Sequence, residues 1–416
     1  MDLRPLPRFS VRQVLAALIF AGLSAAACAP QSSTTSSTAT LSLPATTLAT
    51  TWGFAPALAT APSIDSPAAA AIGTDTAFAA FESADTTQRL VLYVKAQRIE
   101  TEITASQPHS LKLARLPAGR LLATWIDRDA SGISTLYAAQ VDRQGASLFG
   151  ALAVSNSAVT RYDLIGMPAG GAWAVWSAVV SGEPTLVASR LDDAGRPRMP
   201  QLLQLDADYP ALAVLISGDV TLFWLQGENQ DLYQAQLIDT GLSEPVRRSP
   251  APWVGQTGDL LAGLSAGVDR SHGYVVFHTL TNAGKQRALV TSGPLDQPDW
   301  GPAAPINPVM GDQPFQTGFN HGIAFTTAVS ASAPEAGWIA PARGQYDIMA
   351  AAAMIETHLY VLYFRAGALV GAQEITSLPS GIIAAPSLTL DDERDLALAW
   401  WQPGPETASL YAISSR

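Results

Sequence analysis

The sequence has very little cysteine, lysine or charge. Among its 416 residues there is one cysteine, Cys28, and only 14% of positions are charged. A single thiol cannot form an internal disulfide, so the fold is not a disulfide scaffold. The only lysines are Lys95, Lys112 and Lys285, and no run of basic residues occurs. With a formal net charge of −11, the chain is not expected to have nucleic acid as a partner.

What the sequence has in quantity is apolar residues, glycine and proline. Hydrophobic residues make up 48% of the chain, with 32 glycines and 29 prolines. This composition allows a large buried core and favours many short strands joined by turns over long helices. An all-β domain is therefore expected.

The N-terminus is built as an export signal. Arginines within the first twelve residues precede an apolar run at 14–23, which is as long as the core of a signal peptide. Three alanines stand directly before Cys28. This order resembles the lipobox of bacterial lipoproteins, although Ala25 stands where leucine is commoner. The resemblance implies a signal peptide at 1–27 and lipidation of Cys28; the alternative is an ordinary cleaved signal peptide with an incidental cysteine.

The segment after the cysteine has the composition of a spacer. Thirteen of the 21 positions from 31 to 51 are serine or threonine, and none is charged. Such a segment stays solvated. We therefore divide the chain into a signal peptide at 1–27, a lipidated N-terminus and linker at 28–51, and a folded domain at 52–416. This order predicts a domain in the cell envelope, outside the cytoplasm, anchored to a membrane by its N-terminal lipid.

The folded domain repeats one unit of four strands. In the clearest copy, residues 113–148, a strand and a Pro-Ala-Gly turn precede a strand ending at Trp125, and a polar loop leads to a strand through Tyr137. The second-strand aromatic recurs about every 46 residues, a period typical of propeller blades. Its positions are Phe81, Trp125, Trp176, Trp224, Phe277, Phe325, Tyr363 and Trp400. The paired third-strand positions are Tyr93, Tyr137, Val187, Tyr233, Leu289, Trp338, Val370 and Tyr411.

These repeats predict an all-β fold, a β-propeller of seven or eight four-stranded blades. Strands such as AWAVWSAVV are almost continuously apolar, as expected of sheets covered on both faces. The last copy ends five residues after Tyr411 and lacks a fourth strand. We expect the segment around Trp52 to Ala59 to supply it and so close the ring. A pair of β-sandwiches or an irregular β-solenoid is the alternative fold.

In a propeller, the first–second and third–fourth turns share one face. The sequence predicts short turns there and longer second–third loops on the opposite face, where a ligand is expected to bind. The candidate contacts on those loops are Arg128, Glu183, Asn229 and Lys285. Three tryptophans outside the repeat positions, Trp52, Trp253 and Trp300, are candidates for stacking on sugars.

The enzymatic comparison is with sialidase-like propellers, to which the chain has a loose similarity. That resemblance would imply Asp-box turns and paired catalytic carboxylates. No Asp box is present, and no catalytic residue can be assigned. The expectation is a non-catalytic binding or display module for a protein or glycan partner. The alternatives are a propeller-type glycoside hydrolase and a scaffold subunit of a membrane complex.

No cofactor is expected, and calcium is the one metal with a candidate site. Residues 127–132, DRDASG, resemble the opening of a calcium loop, with oxygen ligands at alternate positions from Asp127, Asp129 and Ser131. The twelfth position is Ala138, where the loop type requires an acidic ligand. A plain hairpin turn is the competing interpretation.

Overall fold

The fold is built from antiparallel sheets, and five of the seven described sheets have four strands. The computed structural model describes residues 57–305 and 349–414, except 62–63, 73–74, 85–86, 216, 250–259, 269–270, 281–285, 356–357, 366–367, 378–383, 391–395 and 404–407. The described residues form seven sheets and all lie within one compact unit, Ala39–Arg416. The described part of the chain includes no helix long and apolar enough to cross a membrane.

Six sheets follow one another along the chain. The first contains β2 Ile64–Ile72, β3 Asp75–Ala84, β4 Thr87–Val94 and β5 Gln97–Ala105; the second contains β6 Pro108–Leu116, β7 Arg120–Arg128, β8 Ser134–Val141 and β9 Leu152–Ala153. The third contains β10 Val159–Gly166, β11 Ala172–Val180, β12 Glu183–Leu191 and β13 Gln201–Leu205. The fourth contains β14 Ala207–Val214, β15 Val220–Gln226, β16 Asp231–Ile238, β17 Gly241–Leu242 and β18 Val246–Ser249. The fifth contains β19 Leu260–Val268, β20 His272–Leu280, β21 Gln286–Pro294 and β22 Ala304–Pro305; the sixth contains β23 Met349–Ile355, β24 His358–Arg365 and β25 Ala368–Ser377. One short 3-10 helix, Pro117–Gly119, joins β6 to β7.

The remaining sheet joins the two ends of the domain. It has the order β1–β28–β27–β26, where β1 is Ala57–Ala61, β26 is Ala384–Leu390, β27 is Leu396–Pro403 and β28 is Ala408–Ser414. Strand β1 runs antiparallel to β28 and pairs Ala61 with Ala408 and Ala57 with Tyr411. The predicted N-terminal fourth strand is confirmed at 57–61, and positions 52–56 lie outside the described residues. A sheet that joins the two ends of the domain and a series of repeated sheets are together the arrangement of a β-propeller.

The repeated aromatic residues form the core. All seven described second-strand positions are at most 3% exposed, while Phe325 and its partner Trp338 lie outside the described residues. Strand β11 has seven consecutive buried residues, as expected of a sheet covered on both faces. Trp125, Trp224 and Trp400 each stack on the tyrosine predicted to lie opposite, with ring centres 6.0, 5.8 and 5.5 Å apart. Stacking of this kind stabilises cross-strand pairs beyond their buried area.

Two of the predicted cross-strand pairs are wrong. Phe81 lies opposite Leu90, and Tyr93 lies opposite Phe78, because Ala84 pairs with Thr87 and the register differs from the predicted one by three residues. In the sixth sheet Tyr363 lies opposite Gly371, and a register shift between Tyr363 and Phe364 leaves Val370 without a partner in the ladder. A bulge adds one residue to one strand, and periodicity alone does not show it.

The antiparallel order defines two ends of the domain. We call the end with the second–third connections and the links between sheets the mouth end, and the end with the first–second and third–fourth connections the basal end. The predicted loop lengths are wrong in the third sheet: its second–third connection is the two-residue turn Ser181–Gly182, whereas its third–fourth connection spans 192–200. Fourth strands such as β9 are short. The residues between the third and fourth strands therefore lie in long connections at the basal end.

Candidate functional site

The innermost strands of the sheets share an irregularity near the mouth end. In six of the seven described sheets the register between first and second strand shifts there. A first strand is an edge of its sheet, so a bulge or proline costs few ladder hydrogen bonds. The shifts lie between Asp65 and Ala68, His109 and Lys112, Val159 and Arg161, Asp208 and Ala211, Leu261 and Gly263, and Ala384 and Ser387.

Two of these bulges hold side chains in an uncommon backbone conformation. Ser110 has φ 58° and Tyr209 has φ 60°, in the left-handed region that non-glycine residues rarely adopt. The phenol oxygen of the buried Tyr162 lies 2.5 Å from the carbonyl oxygen of Ser110 and 2.7 Å from that of Thr124. Contacts from the neighbouring sheet therefore hold the Ser110 bulge in place. Strain of this kind is commonest at functional sites.

Charged residues connect the innermost strands of three successive sheets. Lys112 Nζ in β6 lies 2.5 Å from Asp163 Oδ1 in β10, and the other Asp163 oxygen accepts the backbone N–H of Leu212 in β14 at 2.7 Å. Arg161 Nη1 in β10 lies 2.5 Å from Asp208 Oδ2 in β14. The four charged side chains are 13–35% exposed, so these pairs are only partly screened by water.

Tyr209 completes this group. The guanidinium carbon of Arg161 lies 3.8 Å from the centre of the Tyr209 ring, a cation–π contact. The Tyr209 hydroxyl donates to the backbone oxygen of Leu261 in the next sheet at 2.9 Å. Burial raises the pKa of Tyr209, and the nearby Asp208 adds to the rise while Arg161 opposes it. The phenol is thus protonated at neutral pH.

His109 lies at the same end, in the bulge of β6. Burial lowers its pKa, the charge of Arg128 lowers it further, and Asp127 opposes the change. Its Nδ1 lies 3.1 Å from Ser110 Oγ. The imidazole is therefore neutral at pH 7 and can accept a proton. We call His109, Lys112, Arg161, Asp163, Asp208 and Tyr209 the mouth cluster.

The residues predicted from the loops are exposed at the mouth end but separate from one another. Arg128 is the last residue of β7, Glu183 is the first residue of β12, and only Asn229 lies on a second–third connection, that of the fourth sheet. All three are solvent-exposed, and no hydrogen bond or ion pair joins any two of them. Arg128 Nε donates to the backbone oxygen of Gly132 at 3.2 Å. Lys285 and Cys28 lie outside the described residues.

The calcium-like segment forms a hairpin turn. Asp129 Oδ1 accepts the N–H groups of Ser131 and Ile133 at 2.9 Å and the Ser131 hydroxyl at 2.6 Å. These contacts, the Ser131 hydroxyl first, hold the pKa of Asp129 below its usual range. The Asp127 oxygens instead accept the N–H groups of Ser106 and Gln107.

The same turn recurs elsewhere, at Asp142–Gly145 and at Asp192–Gly195. There too the aspartate accepts the N–H groups two and four residues ahead, and a glycine with positive φ occupies the fourth position. The pattern that suggested calcium is thus that of an aspartate-capped turn. Among the described residues no group of three or more His, Cys, Asp or Glu side chains is arranged to hold a metal ion. Calcium binding stays a prediction.

One candidate for sugar stacking is wrong. Trp300 is only 3% exposed, and its ring packs against Phe223 with centres 5.8 Å apart. Its backbone N–H donates to the backbone oxygen of the buried Arg248, which itself binds the backbone oxygens of Leu295 and Gln297. Trp300 is therefore part of the core. Trp52 and Trp253 lie outside the described residues.

The sequence-based prediction placed the ligand contacts on the second–third loops, whereas the mouth cluster lies on the first strands. The signal was present: charged or phenolic residues interrupt otherwise apolar first strands in PHSLKL, TRYDL and ADYPAL. A charged residue in a strand expected to be buried needs a partner. Two of these segments also contain a proline, which is tolerated at an edge strand or bulge.

Comparisons with known proteins support the fold. No protein-family model and no curated protein matches the sequence. Among solved structures, the polysaccharide lyase Uly1 is similar with a TM-score of 0.54 and 10% identity, over 85% of this chain and 90% of that one. A protein of unknown function from Dyadobacter fermentans DSM 18053 has a TM-score of 0.50 and 10% identity, over 74% and 95% of the two chains.

A third similar structure is a PL25 ulvan lyase bound to -[GlcA(1-4)Rha3S]-. Its TM-score is 0.50 with 9% identity, over 83% of this chain and 91% of that one. At these identities the likeness establishes the fold alone, because one fold carries many activities. The structure and these neighbours together identify the described domain as a β-propeller.

Proposed function

We propose that this protein is a lipid-anchored envelope enzyme that binds a polysaccharide at the mouth cluster and cleaves it. The observation that carries the proposal is that His109, Arg161 and Tyr209 lie on the bulged innermost strands of three successive sheets, where Ser110 and Tyr209 have a left-handed backbone and the three side chains are partly buried. Polysaccharide lyases among the similar structures support the same class of substrate. The anchor at Cys28 is part of the proposal and rests on the sequence.

The cluster fits elimination better than hydrolysis. A glycosidase needs one carboxyl group as an acid and a second carboxylate as base or nucleophile. Asp163 and Asp208 are both engaged in ion pairs and also accept the backbone N–H groups of Leu164 and Tyr209. Their oxygens are therefore occupied by structural partners.

Elimination from a uronate needs a cation against the sugar carboxylate and a base for the proton on the neighbouring carbon. Arg161 contacts Asp208 through Nη1, and a guanidinium has five N–H donors, so others can bind a carboxylate. The neutral His109 would take the proton from C5, the C4–O4 bond would break, and a C4–C5 double bond would form while a water molecule gives a proton to the leaving oxygen. Tyr209 would position Arg161 through the contact with its ring.

The second candidate is the non-catalytic glycan-binding module expected from the sequence. The ion pairs of the mouth cluster favour it, because they neutralise Lys112 and Arg161 within the protein. A scaffold role in a membrane complex stays a prediction from the sequence, as does a protein partner.

The test is to incubate the protein with uronate-containing and neutral polysaccharides and to measure three signals. Ultraviolet absorbance detects the unsaturated product of elimination, reducing ends without that absorbance indicate hydrolysis, and affinity electrophoresis detects binding. Elimination that is lost in His109→Gln but kept in Asn229→Ala is the expected result. Binding without any product would establish the module instead.

A further inference from the structure

The basal end exposes apolar side chains on three consecutive sheets. Met199 is 87% exposed and Leu148 is 66% exposed, both in third–fourth connections, and Ile238 at the basal end of β16 is 42% exposed. Large apolar residues exposed together in this way mark an interaction surface. We call Leu148, Phe149, Arg196, Arg198, Met199 and Ile238 the basal patch.

A contact between neighbouring sheets links these connections. The Arg196 guanidinium carbon lies 5.8 Å from the centre of the Phe149 ring, which joins the connection that carries Leu148 to the one that carries Met199. Arg196 and Arg198 are exposed. Two aspartates of the same connections, Asp142 and Asp192, direct carboxylate oxygens to N–H groups of their own turns, whereas Asp193 is exposed beside them. The basal patch thus combines exposed apolar side chains with two arginines, although the net charge of the whole chain is −11.

The chain also enters the domain at the basal end. Strand β28 begins at Ala408 after a second–third connection and runs towards the basal end, and β1 is antiparallel to it. The first residue of β1, Ala57, therefore lies towards the basal end, and Ala61 lies at the mouth end. Positions 29–56 separate Cys28 from β1 by 28 residues. The composition of positions 31–51 predicts a solvated spacer, and a spacer of 28 residues would have an end-to-end distance of roughly 30 Å.

We propose that the basal patch docks on the lipid bilayer, with Leu148, Met199 and Ile238 in the headgroup region and Arg196 and Arg198 on lipid phosphates. The proposal rests on the predicted lipid anchor and is independent of polysaccharide cleavage. An anchor with a reach of roughly 30 Å would hold the basal end at a high local concentration near the membrane, so a weak contact suffices. Arginine and aromatic side chains suit the boundary between lipid and water.

Docking would fix the orientation of the mouth cluster. The basal and mouth ends lie at opposite ends of the same strands, so a domain seated on its basal end directs His109 and Arg161 away from the membrane. A polysaccharide outside the membrane could then reach the innermost strands. A second copy of the chain is the competing occupant of the patch and is an outcome of the test below.

The test uses the predicted mature chain from residue 28 onward with Cys28→Ser, so that lipidation does not contribute. A single cysteine is introduced by Met199→Cys or, at the mouth end, by Asn229→Cys, and is labelled with an environment-sensitive dye. Vesicles contain phosphatidylglycerol and phosphatidylethanolamine, with or without brominated acyl chains. We expect a blue shift and bromine quenching at position 199 and neither at position 229.

Charge substitutions give a second measurement. Leu148→Asp with Met199→Asp should lower partitioning onto these vesicles about tenfold or more. The matched control is Ile133→Asp with Val179→Asp, which changes residues that are 51% and 60% exposed at the mouth end. Equal responses of the two pairs, equal quenching at both labels, or no binding at millimolar lipid would overturn the proposal. So would a dimer, seen by sedimentation without vesicles, that Met199→Asp dissociates.

Discussion

Arg161 is held between two side chains of the neighbouring innermost strand. Its guanidinium carbon lies 3.8 Å from the Tyr209 ring centre, and its Nη1 lies 2.5 Å from Asp208 Oδ2. The contacts fix the cation at the mouth end and also hold two sheets together. Its contributions to stability and to activity should therefore be separable.

Arg161→Gln should lower the free energy of unfolding by about 1–2 kcal/mol, because Asp208 would remain partly buried without its partner. Adding Asp208→Asn should restore most of the stability, since the unpaired charge is then removed. The double variant should still lack polysaccharide cleavage. Denaturant unfolding and the absorbance assay measure the two effects, and full activity in the double variant would rule Arg161 out of the site.

His109 should make stability depend on pH. Its pKa is lowered in the folded protein, chiefly by burial, so below its ordinary value of about 6.5 the unfolded chain binds more protons. Stability contributed by the neutral imidazole is present above pH 6.5 and is lost as the pH falls towards the folded pKa. His109→Gln should remove this slope from the dependence of unfolding on pH. An unchanged slope would assign it to another group.

How much of the fold and of the candidate site could be predicted from the sequence depended on the kind of contact. The positions of Trp125, Trp176 and Trp224 were predictable because a residue buried between two sheets recurs at the same place in every repeat. The positions of Tyr93 and Val370 were not, because turn length and bulges change the register locally. The pairing of Lys112 with Asp163 joins residues 51 positions apart, and only the order of sheets brings them together.

The Trp300 ring packs so close to the backbone at position 293 that we expect this position to require glycine. A Cβ on Gly293 would lie 2.2 Å from Trp300 Cδ1, well inside contact distance. Gly293→Ala should thus destabilise the domain by about 1–3 kcal/mol, the usual cost of overpacking. Gly301→Ala is the matched control, since a Cβ there meets nothing within 4 Å. Thermal unfolding of the two variants gives the comparison, and equal melting temperatures would show that the indole can move aside.

Lipidation of Cys28 is tested in cells. A palmitate analogue should label the wild-type protein and not Cys28→Ala, because the chain has no other cysteine. The wild type should fractionate with membranes. Ala25→Leu, which restores the commoner lipobox residue, should be processed at least as well. Equal incorporation of label into wild type and Cys28→Ala would exclude the anchor.

Closure of the ring by β1 gives the last prediction. Leu58 in β1 packs with Tyr93 and Leu410, and the strand covers the outer edge of β28. A chain beginning at residue 62 would expose that edge and leave the backbone groups of β28 unpaired. Such a chain should lose several kcal/mol of stability relative to one beginning at residue 40, because it loses the hydrogen bonds between β1 and β28, each worth about 0.5–1.5 kcal/mol net, and the burial of Leu58. Both chains lack the signal peptide and Cys28, so export and lipidation do not enter the comparison. A synthetic peptide of residues 52–61, added to the shorter chain, should raise its melting temperature by pairing with β28 in the place of β1. If the two chains melt together, the segment adds nothing to the domain and the pairing of Ala61 with Ala408 does not stabilise the ring.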